Sequence, residues 1–249
     1  MPSVPPPRRA LDPLAAEITE CRTCPRLVEW RERTAREKRA AFRDDDYWGK
    51  PVPGFGDPRA RILLLGLAPA AHGANRTGRI FTGDRSGDFL FAALHRVGLA
   101  NRPESVRIGD GLRLRDTWVT AAVRCAPPAN APTPAERDAC RSFLIRELAA
   151  LTRLRVVVPL GGFAYQAAWA GLRAQADPAI GLPVRRPRFG HGVEIECGRI
   201  TIVTAFHPSQ QNTFTGRLTP AMLDAVLSRA RDLAAVRPQP SSAIVSPTA

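Results

Sequence analysis

Residues 61–65, Arg61-Ile62-Leu63-Leu64-Leu65, run straight into Gly66-Leu67-Ala68-Pro69-Ala70-Ala71-His72-Gly73-Ala74-Asn75-Arg76-Thr77-Gly78-Arg79-Ile80-Phe81-Thr82-Gly83-Asp84. A hydrophobic strand that empties into a loop of small residues, Gly and Pro lets something approach the backbone. In an open α/β sheet, ligands bind outside the carboxyl ends of the strands, so this loop is a site candidate before any chemistry is assigned. Its core carries Ala68 where a hydrolase would want a polar group.

Outward from that strand, three further apolar segments have strand length: residues 117–123, 154–160 and 200–206. Helical patterns fall at 13–39, 87–97, 134–151, 163–172 and 219–236, so strands alternate with helices and an α/β fold with a parallel sheet follows. The helix at Thr133-Pro134-Ala135-Glu136 is the best marked, with Thr as N-cap, Pro at the first helical position and Glu closing a capping box. The Pro-rich start predicts a flexible tail over 1–11. A single domain follows over 12–236, and RPQPSSAIVSPTA reads as a disordered tail over 237–249. No internal repeat is visible.

The chain has 249 residues and 44% hydrophobic composition, enough for one full core. Its longest uncharged run, Val156 to Leu172, is broken by Pro159, Gly161, Gly162 and Gln166, which excludes it as a membrane span. The start MPSVPPPRRA lacks the apolar stretch of a secretory signal, so the expected location is the cytoplasm. Net charge is +13, and a surplus of bases over 23 acids favours a polyanionic partner, of which nucleic acid is the usual one. Only Lys38 and Lys50 among the 36 basic residues are lysines, a coding bias that explains Arg over Lys but not the surplus.

Cys21-Arg-Thr-Cys24 is a C-x2-C pair, and Cys125 with Cys140 forms a second, wider one. Four thiols in two pairs, with no His nearby, favour an all-thiolate site over disulfides in a cytosolic chain. Spacing alone leaves zinc and an iron-sulfur cube both open, and four unrelated buried thiols are the plain alternative. Cys197 lies on a separate strand-like segment and reads as a single buried thiol. The last strand delivers His207-Pro208-Ser209-Gln210-Gln211-Asn212-Thr213-Phe214-Thr215-Gly216. Neutral imidazole at His207 can donate a hydrogen bond to charge developing in a reaction, although a histidine bonded to backbone would give the same pattern. His95 and His191 default to that structural reading.

Taken in order, GLAPAAHGANRTGRIFTGD, the VRCAPP segment from Val123 to Pro128, the four cysteines and HPSQQNTFTGRLT closely resemble the family 5 (UdgB-type) uracil-DNA glycosylases over about residues 15–235. The resemblance implies a three-layer α/β/α sandwich around a four-stranded parallel sheet. It also implies a structural 4Fe-4S cluster on Cys21, Cys24, Cys125 and Cys140. The expected partner is double-stranded DNA containing deaminated bases, bound by a monomer in a nucleoid-associated, cytoplasmic setting without a membrane.

A glycosylase must extrude the nucleotide, hold the base, and cleave the N-glycosidic bond through a transition state with a cationic sugar and an anionic base. Gly66, Ala68, Pro69, Ala70, His72, Gly73 and Phe81 are the expected base pocket, with the Phe81 ring stacking on the base. His207 would hydrogen-bond the departing base. Phe214, with Leu218 behind it, would wedge into the gap left in the duplex, and Asn75, Arg76, Ser209, Gln210, Asn212 and Arg217 would join it in contacting DNA.

Water activation is where the sequence departs from better-known branches, which carry Asp or Asn before the Pro of the first loop. Here that position is Ala68. Asp84 is the favoured replacement, able to hold water or stabilise the sugar cation, although it could simply be a helix N-cap. Asn130, in the loop after Cys125, is the second candidate. Related branches also place an Asn near the end of the second strand to read the uracil edge, where this chain has Ala121-Ala122-Val123. A pocket read through backbone and shape should tolerate hypoxanthine and xanthine as well as uracil. Two other readings stay open: a non-catalytic basic DNA-binding module with a structural zinc or iron-sulfur site, and an iron-sulfur electron carrier, which lacks any flavin or nicotinamide fingerprint.

Overall fold

The computed structural model describes residues 7–235. In chain order the elements are α1 (Pro7–Glu20), α2 (Pro25–Glu37), β1 (Phe55–Gly56), β2 (Ile62–Gly66), α3 (Ala74–Thr77), α4 (Arg85–Arg96), β3 (Thr117–Ala121), α5 (Pro134–Ala150), β4 (Val156–Pro159), α6 (Gly162–Arg173), β5 (Glu194–Cys197), β6 (Ile200–Val203), α7 (Gln210–Phe214) and α8 (Pro220–Ala235), with short 3-10 turns at Ala40–Phe42 and Pro128–Asn130.

The sheet corrects the expected four strands to six, in the order β1-β3-β2-β4-β6-β5. Its centre, β3-β2-β4-β6, is parallel as expected; β1 and β5 add antiparallel edges. Neither edge announces itself in the sequence. β1 is two residues inside a Pro- and Gly-rich stretch, and β5 alternates exposed Glu194 and Glu196 with buried Ile195 and Cys197, the half-covered pattern of an edge.

Side chains of β2 alternate between two cores, as the two-residue period of a strand requires. Ile62 and Leu64 join Val119, Val156, Val158 and Val203 under α4 and α8, whereas Leu63 and Leu65 join Trp118, Val157 and Ile202 under α5 and α6. These are the three layers expected. All five residues of β2 are buried, as a parallel strand covered on both faces must be.

Two boundaries differ from the sequence reading. The helix expected over 13–39 is two helices, broken at Cys21–Cys24. Pro25 opens α2 at its first turn and holds Cys24 at φ −107°, ψ 97°, outside the helical region. Helix α1 begins at Pro7 and buries Leu11, so the tail expected over 1–11 is helical from Pro7 onward. Residues 1–6, and the tail expected over 237–249, lie outside the described residues. Thr133 and Glu136 form the expected reciprocal capping box.

Candidate active site

The carboxyl ends of the parallel strands open on a cavity of about 350 Å3. Its lining brings together Gly66, Ala68, Ala70, Phe81 and Asp84 from the first loop, Asn130 from the turn after Cys125, and His207, Ser209 and Gln210 from the last loop. Residues separated by more than 100 positions share this wall because β2, β3 and β6 all end on the same side of the sheet.

Phe81 is almost fully buried beneath this cavity, with its backbone in the left-handed region at φ 54°. For a bulky residue that conformation is an outlier, and such strain concentrates at functional sites. Gly66 makes the placement possible: a Cβ there would stand 2.7 Å from the Phe81 ring. The ring lies 5.9 Å from that of His207, tilted by 34°.

Asp84 is the N-cap of α4 that the sequence allowed, its Oδ1 accepting the Gly87 backbone N–H at 2.9 Å, and it also lines the cavity. Burial raises its pKa above the ordinary carboxylate value, opposed by the backbone N–H groups of Gly87 and Ser86. Its second oxygen faces the chain at Gly73, where a Cβ would stand 2.3 Å from Oδ2.

The histidines separate by their partners. His191 is the structural kind, its Nδ1 accepting the Phe206 N–H at 3.1 Å and its Nε2 lying 3.3 Å from the Met222 carbonyl oxygen. His72 bonds Tyr47 Oη at 3.0 Å and does not line the cavity. His95 sits on the exposed side of α4. His207 differs: among the described residues neither ring nitrogen has a hydrogen-bond partner, while its backbone carbonyl accepts from Asn212 Nδ2 at 2.8 Å. Burial pushes its pKa down to about 4, so the ring is neutral at physiological pH and free to donate to a ligand.

Several expected contacts are instead structural. Pro69, His72 and Gly73 do not line the cavity. Asn75 is completely buried, its Nδ2 donating to the Arg31 carbonyl at 3.2 Å and its own carbonyl accepting from Gly49 N–H. The Arg76 guanidinium bonds the carbonyls of His72 and Gly83 and the Asp45 carboxylate, and stacks 4.0 Å from the Phe42 ring. Both residues pin the first loop to α2 and the segment after it; the one Asn75 side-chain atom without a partner among the described residues, Oδ1, is buried away from the surface. Leu218 is fully buried in the core, so only Phe214, 67% exposed, has the reach of a wedge. Asn212 fixes the last loop through His207. Arg217 lies 4.8 Å over the Phe206 ring in a neighbouring aromatic groove. Arg85, Ser86 and Gln211 also line the cavity. The sequence reading placed none of them at the site, although Arg85 adjoins Asp84 and Gln211 adjoins Gln210.

Cys21, Cys24, Cys125 and Cys140 line a second cleft together, although they come from the α1–α2 break, the end of β3 and the second turn of α5. No two are disulfide-bonded. Among the described residues no three His, Cys, Asp or Glu side chains form a group that could hold a metal ion as they stand. Burial raises the Cys24 and Cys140 thiols and pushes Cys125 up to about 12. Two almost fully buried arginines, Arg31 and Arg124, place positive charge beside Cys125 and Cys140, and each keeps a buried Nε without a partner. Cys197 is a separate buried thiol on β5.

Ala68 connects the two clefts. It lines the cavity beside Phe81 and packs with Cys24, Cys125, Cys140, Leu27 and Val123. A carboxylate at this position would stand between the cavity and a cluster of thiols and aliphatic groups that offers it no charged partner, which gives the alanine a physical reason.

A pocket at the strand ends with a buried aromatic floor, a desolvated carboxylate and an unpartnered neutral histidine defines a site for a flat polar ligand. A family model described as the Uracil DNA glycosylase superfamily matches residues 53–231. A type-5 uracil-DNA glycosylase of Mycobacterium bovis is 56% identical over 225 residues, covering 90% of this chain and 81% of that protein. Proteins of the same name from Mycobacterium leprae and Thermus thermophilus are 53% and 52% identical, covering 90% and 87% of this chain and 95% of each relative. The chain therefore belongs to the uracil-DNA glycosylase superfamily, in its type-5 branch.

Proposed function

We propose that this chain is a monofunctional DNA glycosylase that extrudes a deaminated base from double-stranded DNA and hydrolyses its N-glycosidic bond, leaving an abasic site. The observation that carries the reading is the convergence of Asp84, Asn130, Phe81 and His207 on one cavity at the strand ends. The relatives named above bear the name of the same activity.

Phe81 offers a ring face to the extruded base. As the C1′–N bond breaks, its electron pair leaves with the base, and neutral His207 donates a hydrogen bond to the resulting negative charge. Asp84 in its ionised form stabilises the positive sugar and orients a water, whose oxygen bonds to C1′ and whose proton is released to the base or solvent. Asn130, exposed at the cavity edge with φ 54°, orients the water or touches the base. Phe214 fills the gap in the duplex. Ala121 lines the cavity where an amide would read uracil, which supports acceptance of hypoxanthine and xanthine beside uracil.

We further propose a structural 4Fe-4S cluster on Cys21, Cys24, Cys125 and Cys140. An all-sulfur donor set lining one cleft accommodates a cube as well as a zinc, the resemblance favours the cube, and Arg31 places a positive charge beside Cys125, whereas Arg124 is paired with the buried Glu147. The cluster would tie the break between α1 and α2 to β3 and α5.

Duplexes with one uracil or one hypoxanthine, incubated without added divalent metal and treated with alkali, test the reading. Strand scission at the lesion is expected from both. No abasic sites on either duplex at high protein excess would overturn it and favour the non-catalytic DNA-binding module.

A further inference from the structure

The cavity mouth is flanked by two elements from opposite ends of the chain. Arg85 lies at the start of α4 beside Asp84, and Gln210 and Gln211 begin α7, which ends at Phe214. The Arg85 guanidinium sits 5.5 Å from the centre of the Phe214 ring, so one contact joins the Asp84 side of the mouth to the His207 side. Both partners are exposed. Among the described residues the Arg85 side chain donates no hydrogen bond and forms no ion pair within 4.0 Å, although Asp88, in the same first turn of α4, feels its charge.

This sets Arg85 apart from its neighbours. Arg76 and Arg79, on the same loop, are committed to carboxylates and carbonyls. An arginine that lines a cavity, lacks an anionic partner and rests on an exposed aromatic ring has its five donors available. Planar guanidinium matches the geometry of a phosphate diester bidentately.

Resting on the glycosylase reading, we propose that Arg85 grips the backbone phosphate of the extruded nucleotide and is held on Phe214 until DNA binds. As Phe214 enters the duplex its ring leaves Arg85, and the guanidinium passes from ring to phosphate. The wedge and the grip are then one exchange: the contact that bridges the two sides of the mouth in the free protein is given up for two contacts with DNA.

The test measures binding of a duplex carrying a tetrahydrofuran abasic analogue, across a KCl series, for wild type, Arg85→Ala and Phe214→Ala, with single-turnover excision of uracil measured in parallel. Arg85→Ala should weaken binding about tenfold at low salt, and should make the slope of log Kd against log[KCl] shallower by about one, the mark of one lost phosphate contact. It should weaken binding more than it slows the saturated rate. Phe214→Ala should keep the wild-type slope. An unchanged slope in Arg85→Ala, with losses that copy those of Phe214→Ala, would leave Arg85 only the role of orienting the ring and overturn the proposal. Failure of wild type to excise uracil would instead overturn the glycosylase reading. Because Arg85 bonds nothing in the described fold, an unchanged Tm checks that the variant is intact.

Discussion

The Asp84 carboxylate and the Gly87 backbone N–H lie 2.9 Å apart, closing the first turn of α4 at the wall of the cavity. One oxygen serves the helix while the same carboxyl group is desolvated beside the pocket, so the helix cap and the proposed catalytic carboxylate are one side chain. The cap fixes the position and direction of the group without any carboxylate-binding partner from elsewhere in the fold.

That double role separates two substitutions. Asp84→Asn retains a good capping oxygen and removes the charge, so we predict little change in Tm and a loss of about 100-fold or more in the single-turnover rate of uracil excision. Asp84→Ala should lose the rate and also about 1 kcal/mol of stability as the cap disappears. Wild-type rates in Asp84→Asn would move the assisting role to Asn130.

The pH dependence of the rate follows from the same group. Asp84 has its pKa raised by burial, so the acid limb of the rate profile should lie above the ordinary aspartate range and vanish in Asp84→Asn. His207, pushed down to about 4, should give no inflection near pH 6.5. For stability the sign is opposite to that of a paired histidine. A depressed His207 binds its proton more tightly when unfolded, so its contribution is complete above about pH 6.5 and is lost as the pH falls toward 4. Urea denaturation of wild type and His207→Gln at pH 7 and pH 5 checks this: the wild type should lose more stability between the two.

Ala68 offers a test of why the first loop carries no acid before Pro69. Restoring an acid with Ala68→Asp should not accelerate excision and should cost at least about 1 kcal/mol in thermal or urea unfolding, because the new group faces thiols and aliphatic side chains. A faster enzyme at unchanged Tm would show that this wall tolerates charge.

The cysteine cleft predicts a coloured protein. Cys24→Ser and Cys140→Ser should each lower the folded yield and the visible iron-sulfur absorption together, and anaerobic chelation of iron should lower Tm in wild type. Cys197→Ser, remote on β5, should keep the colour. A colourless wild type with stoichiometric zinc would remove the cluster.

The parallel centre of the sheet is legible because β2 and β4 are short, continuously apolar and followed by Gly- or Pro-bearing loops, while the α5 cap is written in four consecutive residues. The edges are not, because β1 and β5 draw their order from neighbours: two residues of β1 have no period of their own and gain strand character only by pairing with β3. The site divides along the same line. Phe81, Asp84 and His207 stand at strand ends or among glycines, where local sequence already limits what the backbone can do. Asn75 and Arg76 sit in the same loop with the same polar character, yet their fate depended on Arg31, Gly49 and Asp45, which no local pattern reveals.

By itself, then, the sequence determined the strand-loop order, the thiol pairs and the cap at α5, since each rests on spacing along the chain, and its motifs carried the resemblance to the family. Only the tertiary structure decided which polar side chains are free to act. His191 and His207 look alike as residues; among the described residues one has both nitrogens bonded and the other has neither. Hydrogen-bond satisfaction is a property of partners brought from distant elements, and that is why Arg76 is consumed by the fold while Arg85, nine residues later, is left with an aromatic ring and no anion among the described residues.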